Sequence, residues 1–318
     1  MVERLARLPD LRRHRWLLAL ALLVILCIVN AVLQPKFLRL AVLESNLTSF
    51  LPLILVAIGQ TYVVLAADID LSVGAIIAVV NVAVVQAVTV LGGDGAAIPA
   101  GMALGLAVGI GCGVVNGICV AFLRFQPIVT TFATAIVFGG IALWIQRQAG
   151  GSVPESYWRG YAGDVLGLRL SVWIALAALV AVILIARTVW YRRLVATGGN
   201  LVGSYQTGLP VMRLRLSAYV VSGAFAALAA LCLVGETASA DPLLGPSFTL
   251  SSVSAVVLGG TALAGGVGSA VGSMLGAIIL GLINNVIFFA GLPYEFQDLV
   301  KGLIVLAALA GGVLVARR

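Results

Sequence analysis

The feature that most constrains this chain is the recurrence of long apolar runs that are almost free of charge. A helix needs roughly 20 apolar residues to cross a bilayer. Such runs fall near residues 16–33, 47–67, 71–91, 98–120, 128–146, 170–188, 214–235, 250–264, 271–290 and 297–315, the eighth being short and ending in glycines. Only 10% of the 318 residues are charged and 62% are hydrophobic, against roughly 25% charged in a soluble protein. There are too few polar side chains to cover a surface in water. The pattern predicts an all-α polytopic membrane protein of about ten helices. A basic tail, residues 1–15, precedes one transmembrane domain, residues 16–318.

The net charge of +7 does not point to nucleic acid, because the basic residues sit beside the apolar runs and not along a soluble face. Arg4, Arg7, Arg12, Arg13 and Arg15 occupy the tail, Arg192, Arg193 and Arg213 the 189–213 loop, and Arg317 and Arg318 the end. Glu236 and Asp241 follow the seventh run, and Glu295 follows the ninth. The positive-inside rule then sets both termini and the 189–213 loop in the cytoplasm. The 147–169 loop, with Arg147, Arg159 and Arg169, falls outside and fits this scheme least well. Cys27, Cys112, Cys119 and Cys232 lie inside apolar runs and read as small core residues, and His14 is a lone tail histidine. No metal set is visible, and the first run reads as a span and not as a cleavable signal peptide.

Glycine is placed with order. Gly101, Gly105, Gly109, Gly113 and Gly117 recur every four residues in the fourth run, and Gly268, Gly272 and Gly276 repeat the spacing before the ninth. Such stripes let helices approach backbone to backbone. The run Leu258–Gly272 contains G-x-G-x-x-x-G, but it joins two apolar runs and lacks the strand and acid of a nucleotide site. A broken helix or re-entrant turn is the expectation there.

Polar residues inside spans cost free energy unless paired or facing a cavity. The candidates are Gln60, Thr61, Asn81, Gln86, Asn116, Thr130, Thr131, Asn284 and Asn285. They are amides and hydroxyls, with no ionisable group at a span centre. That set suits a neutral, polyhydroxylated solute and gives no sign of the ionisable relay of a proton- or sodium-coupled carrier. Between the second and third runs the stretch LAADIDLSVGA places Asp68, Asp70 and Ser72. Asp70 stands where a helix N-cap belongs. Asp68 has no capping position, so its replacement by glycine is expected to be tolerated. The alternative for the pair is a broken helix lining a route for solute.

These stretches, GQTYVVLAADIDLSVGAIIA, VNGICVAFLRFQPIVTTFAT, GGSVP, ATGGNLVGSYQTGL, AVVLGGTALAGGVGSAVGSMLGAIILGLINN and FQDLVKGLIVLAALA, follow one another between about residue 56 and residue 310. Together they resemble the permease subunits of ribose-type ABC importers, a branch that also carries xylose, galactose and the autoinducer-2 furanose. The resemblance implies a dimeric permease, either two copies or a pair of paralogues. It also implies two cytoplasmic ATPase subunits that hold ATP and magnesium, an extracytoplasmic sugar-binding protein, and no catalysis or cofactor in this chain. It implies the bacterial cytoplasmic membrane. It makes the 189–213 loop the segment that touches the ATPase, with Arg192, Arg193, Gly198, Gly199, Asn200, Leu201, Ser204, Gln206 and Gly208 as coupling candidates. Leu201–Gln206 is expected to form one or two helical turns, introduced by Gly198, Gly199 and Asn200. Gln60, Asp68, Asp70, Ser72, Asn81, Asn116, Thr130, Thr131, Asn284 and Asn285 are the candidates for the solute route. Asp68 and Gln126 depart from the usual pattern of that family. A nucleoside permease of the same superfamily and a stand-alone secondary transporter are the alternatives.

Overall fold

The computed structural model describes residues 15–93, 95–293, 296, 299, 300, 302, 303 and 306. The chain is built from α1 (Arg15–Leu33), α2 (Leu40–Leu65), α3 (Val73–Val90), α4 (Ala97–Gly117), α5 (Pro127–Ile145), α6 (Glu155–Ala162), α7 (Leu170–Ala186), α8 (Val189–Gly199), α9 (Leu201–Gln206), α10 (Val211–Thr237), α11 (Pro246–Leu258) and α12 (Ala270–Phe289). A small hairpin, β1 (Asp164–Val165) with β2 (Leu168–Arg169), precedes α7. Leu166 and Gly167 turn it, both at positive φ, as a two-residue hairpin requires.

Nine of the apolar runs coincide with helices, and the last, 297–315, lies largely outside the described residues. Among the described residues six helices are long and apolar enough to cross a membrane, or seven if α7 and α8, bent by 72°, are taken as one span. The expected count of about ten is therefore not reached. α11 has 13 residues, about 20 Å at 1.5 Å per residue, which is short of the ~30 Å hydrocarbon layer.

α10 is the axis of the bundle and packs on α2, α3 and α4. The glycine stripe of α4 explains how close that packing is. Gly101 and Gly105 lie against Val88, Val84 and Val80 of α3, whereas Gly109, Gly113 and Gly117 lie against Gly223, Ala227, Tyr219 and Leu216 of α10. A four-residue step advances about 40° beyond a full turn on a 3.6-residue helix. The stripe thus winds from one neighbour to the next and seats α4 on both. Gly272 and Gly276 of α12 do the same for α11, meeting Gly259 and Ala255.

α4 ends in a π-helical turn, Ile118–Phe122, and the chain reverses at Arg124, a non-glycine residue with φ of 59°. α5 starts at Pro127, in the first helical turn where a missing N–H costs nothing. α5 is the least enclosed span. Val129, Phe132, Ile136, Val137 and Trp144 are all exposed on it.

The 189–213 region is mostly helical. Thr188 caps α8, its hydroxyl accepting from the Tyr191 N–H at 3.2 Å. Asn200 ends α8 and caps α9, its side chain accepting from the Gly203 N–H at 2.8 Å. Gly198 and Gly199 are the last residues of α8, not part of a turn, and neither has positive φ. The residue that needs left-handed backbone is Gly208, at φ 75°. There Leu209 N donates to Ser204 O and Gly208 N to Tyr205 O, the paired bonds of a Schellman stop.

Candidate functional site

The polar residues converge on one place, the segment Ala66–Ser72 between α2 and α3. It is not helical, yet Asp68 is 4% exposed and Asp70 and Ser72 are fully buried. Irregular backbone inside a membrane protein needs partners for its peptide groups, and several of them can be named here. Ala67 N donates to Val64 O at 2.9 Å and Asp68 N to Val63 O at 3.1 Å. The Gln60 amide, oriented to match, bonds both the N–H and the carbonyl of Asp70 at 3.2 Å. The Thr131 hydroxyl of α5 accepts from Leu71 N at 3.0 Å and reaches Ile69 O at 3.2 Å. Ser72 N donates to Asp70 Oδ1 at 2.9 Å. The segment lies between α2, α5 and α10, its first N–H groups bonded to α2 carbonyls and those of Asp70, Leu71 and Ser72 to side chains.

The two carboxylates face α10. Asp68 receives a two-pronged ion pair from Arg215, Nε to Oδ2 at 2.9 Å and Nη2 to Oδ1 at 2.6 Å. Asp70 has no cation. Its Oδ1 accepts from the Ser72 hydroxyl at 2.6 Å, and its Oδ2 from the Ser222 hydroxyl at 3.3 Å. Asn116 Nδ2 donates to Ser72 Oγ at 2.7 Å, and Thr134 Oγ1 donates to Asn116 Oδ1 at 2.7 Å. Thr134, Asn116, Ser72 and Asp70 therefore form a single file in which every donor points toward Asp70.

This corrects two expectations. Asp70 is not the cap of α3: Ser72 occupies that position, and no side chain caps the first turn. The N–H of Gly74 is met instead by the Thr249 hydroxyl of α11 at 3.2 Å. Asp68, which had no evident purpose, is the partner of a guanidinium whose side chain is 13% exposed.

Not all candidates meet here. Asn81 Oδ1 accepts from Asp241 N at 2.8 Å, Gln86 donates to Gln146 at 3.1 Å, and Thr61 donates to Ser273 at 2.7 Å. Asn285 donates to Asn46 at 3.1 Å, with Asn284 beside it on α12. Thr130 donates to Gln126 O at 2.8 Å and, with Thr134, Gln126, Phe125, Val129 and Cys119, lines a cavity of about 420 Å³ on the exposed side of α5.

α8 and α9 lie against the near end of the same segment. The Leu65 carbonyl accepts from Gly266 N at 3.1 Å, and a Cβ on Gly198 would collide with that carbonyl oxygen. Trp190 and Tyr191 of α8 flank Tyr62 of α2, with ring centroids 5.4 and 6.5 Å away. Tyr191 Oη donates to Gly268 O at 3.2 Å, and Trp190 Nε1 to Ser217 Oγ at 2.7 Å. The glycine-rich loop after α11 is a broken turn, with Gly260, Gly265, Gly266 and Gly268 at positive φ. Arg192, Arg193, Gln206 and Gly208 are exposed and Ser204 is buried. Leu201, Val202 and Tyr205 leave α9 with an apolar outer face.

Arg215, Ser222 and Thr134 were not among the sequence candidates. Spacing carried a signal for each. Arg215, Tyr219 and Ser222 share one face of a helix, as do Gln126, Thr130 and Thr134.

A family model described as branched-chain amino acid transport system / permease component matches residues 42–309. The chain is 34% identical over 300 residues to the ribose import permease protein RbsC of Bacillus subtilis (strain 168), covering 90% of this chain and 89% of that one. It is 32% identical over 299 residues to RbsC of Escherichia coli (strain K12), covering 91% of each. It is 31% identical over 305 residues to the autoinducer 2 import system permease protein LsrC of Escherichia coli (strain K12 / DH10B), covering 95% and 88%. These relatives are transport permease subunits and not enzymes. No solved structure matches the chain.

Proposed function

The chain belongs to the branched-chain amino acid transport system / permease component family, in its ribose-type branch, and from that premise we propose that it is the membrane subunit of an ATP-driven importer for a monosaccharide-like, neutral solute. The observation that carries this is the hydroxyl stripe of α5. Gln126, exposed just before α5, and Thr130 and Thr134, buried and half-buried on it, line one cavity beside the exposed apolar side chains of that helix. Polar groups there face a water-filled route or a protein surface in preference to lipid. We assign the α5 face to a second permease subunit, identical or paralogous, which closes the cavity into a route. Amides and hydroxyls with few charges suit the many hydroxyls of a sugar, and a cavity of about 420 Å³ lies in the range of small-molecule sites.

In this reading ATP and magnesium are held by two cytoplasmic ATPase subunits, and an extracytoplasmic binding protein presents the solute. The α8–α9 segment is the contact for the ATPase: Arg192 and Arg193 offer charge and the outer face of α9 offers Leu201, Val202 and Tyr205. Both termini are cytoplasmic, and α11 counts as a short span.

The test is uptake by proteoliposomes that hold the permease with its ATPase subunits and binding protein. D-Ribose, D-xylose and D-galactose are offered in turn, with uridine and L-leucine as competitors from the nucleoside and amino acid classes. ATP-dependent uptake of one of the three sugars is expected, and selective uptake of uridine or L-leucine would overturn the sugar assignment. Uptake driven by an ion gradient without ATPase subunits would overturn the importer reading itself.

A further inference from the structure

We propose that the irregular Ala66–Ser72 segment is the element that passes displacement of α8–α9 to the α5 cavity, with Asp68, Arg215 and Ser72 as its positioning residues. The inference rests on the importer reading above and says which residues carry the motion inside this chain.

The segment is held at both ends by contacts with little slack. At the near end the Leu65 carbonyl is wedged between Gly198 of α8 and Gly266. Arg215 stands on the second turn of α10, and only residues 207–210 separate α10 from α9. A shift of α9 therefore reaches Arg215 through a short connection. The guanidinium holds Asp68 by two bonds in one plane, a geometry that resists rotation more than a single contact does.

At the far end the segment meets α4 and α5. Thr131 grips both Ile69 and Leu71 by their backbones. The file Asp70, Ser72, Asn116 and Thr134 runs from the segment to the wall of the cavity. Between these grips the backbone has no helical ladder of its own. The Asp68 and Asp70 side chains are bonded by α10, whereas the Ile69 carbonyl and the Leu71 N–H are held by Thr131 of α5. Sliding of α10 past α5 must carry the segment with one of them, and the file moves Thr134 with it.

The test measures coupling directly. The complete complex is reconstituted, with solute moved per ATP hydrolysed as the readout and assembled complex measured by size-exclusion chromatography. The solute is whichever of D-ribose, D-xylose and D-galactose the wild type carries. Asp68→Asn and Ser72→Ala are each expected to lower solute moved per ATP at least tenfold in assembled complex. Because the two residues act in series, the double variant is expected to be no worse than the poorer single one. A residue that only stabilises the fold would lower the amount of complex and leave this ratio unchanged. Ser72→Ala removes one hydroxyl and touches no cavity wall, so it decides the matter even where Asp68→Asn does not assemble. A ratio within twofold of wild type for Ser72→Ala, or single effects that multiply in the double variant, would overturn the inference and leave the importer reading standing. A wild-type complex that hydrolyses ATP and carries none of the three sugars would overturn both.

Discussion

Removing Asp68 leaves the Arg215 guanidinium inside the bundle without its counter-charge. Breaking a buried pair from one side typically costs ~3–5 kcal/mol, and the remaining exposure of Arg215 puts this case near the lower end. Asp68→Gly, which the sequence alone marks as harmless, is therefore expected to lower the melting temperature of the detergent-purified protein. Asp68→Gly combined with Arg215→Met is expected to recover part of the loss, which a thermal melt of the three proteins would show. Asp70 behaves differently because it has hydroxyl partners and no cation. Asp70→Asn keeps an acceptor for Ser72 and gains a donor for Ser222, so the amount of assembled protein should change little. Asp70→Leu orphans both hydroxyls, at ~1–3 kcal/mol for each buried group left unpaired, and should abolish assembly. The sequence located both acids in the right segment but misjudged their tasks. Their partners lie 147 and 152 residues away, and no local spacing links such positions.

At the scale of elements, glycine was the most readable residue and also the one most easily misassigned. The four-residue stripe of α4 identified a close-packed face, but only the drift of the helix shows that this face is divided between α3 and α10. In α8 the sequence grouped Gly198 and Gly199 together as the lead into the Leu201–Gln206 turns. Gly199 is helical, and an added Cβ would meet nothing nearer than Gly266 Cα at 3.9 Å. Gly198 is the constrained position, pressed on the Leu65 carbonyl. Gly199→Ala should leave stability unchanged within ~0.5 kcal/mol, while Gly198→Ala should cost ~1–3 kcal/mol as an overpacked contact. Limited proteolysis near Asn200 would register the loosened docking of α8 in the second variant only. The six-residue helix α9 was legible because Asn200 is a strong cap residue. The eleven residues of α8 were not, since their apolar face is filled by aromatic contacts with α2 that no local pattern reveals.

For the whole molecule, the apolar runs located nine helices, because the length of a span is set by the bilayer and not by its neighbours. Which of them cross completely is a matter of packing: α11 is short and ends in a glycine-rich turn laid against α2 and α8. Orientation is open to a direct measurement. A cysteine at the exposed position Gln206 should react with a membrane-impermeant maleimide only in inverted vesicles, and reaction in intact cells would overturn the proposed topology. The irregular Ala66–Ser72 segment also imposes an order in time. Ser222 leaves the ribosome 152 residues after Asp70, about 8–30 s later at ~5–20 residues per second. For that interval Asp68 has no Arg215 and Asp70 no Ser222. A nascent chain halted before α10 is expected to hold α2 and α3 as a loosely joined pair, open to proteases at Asp68. Synthesis of α10 then completes the junction that was laid down first.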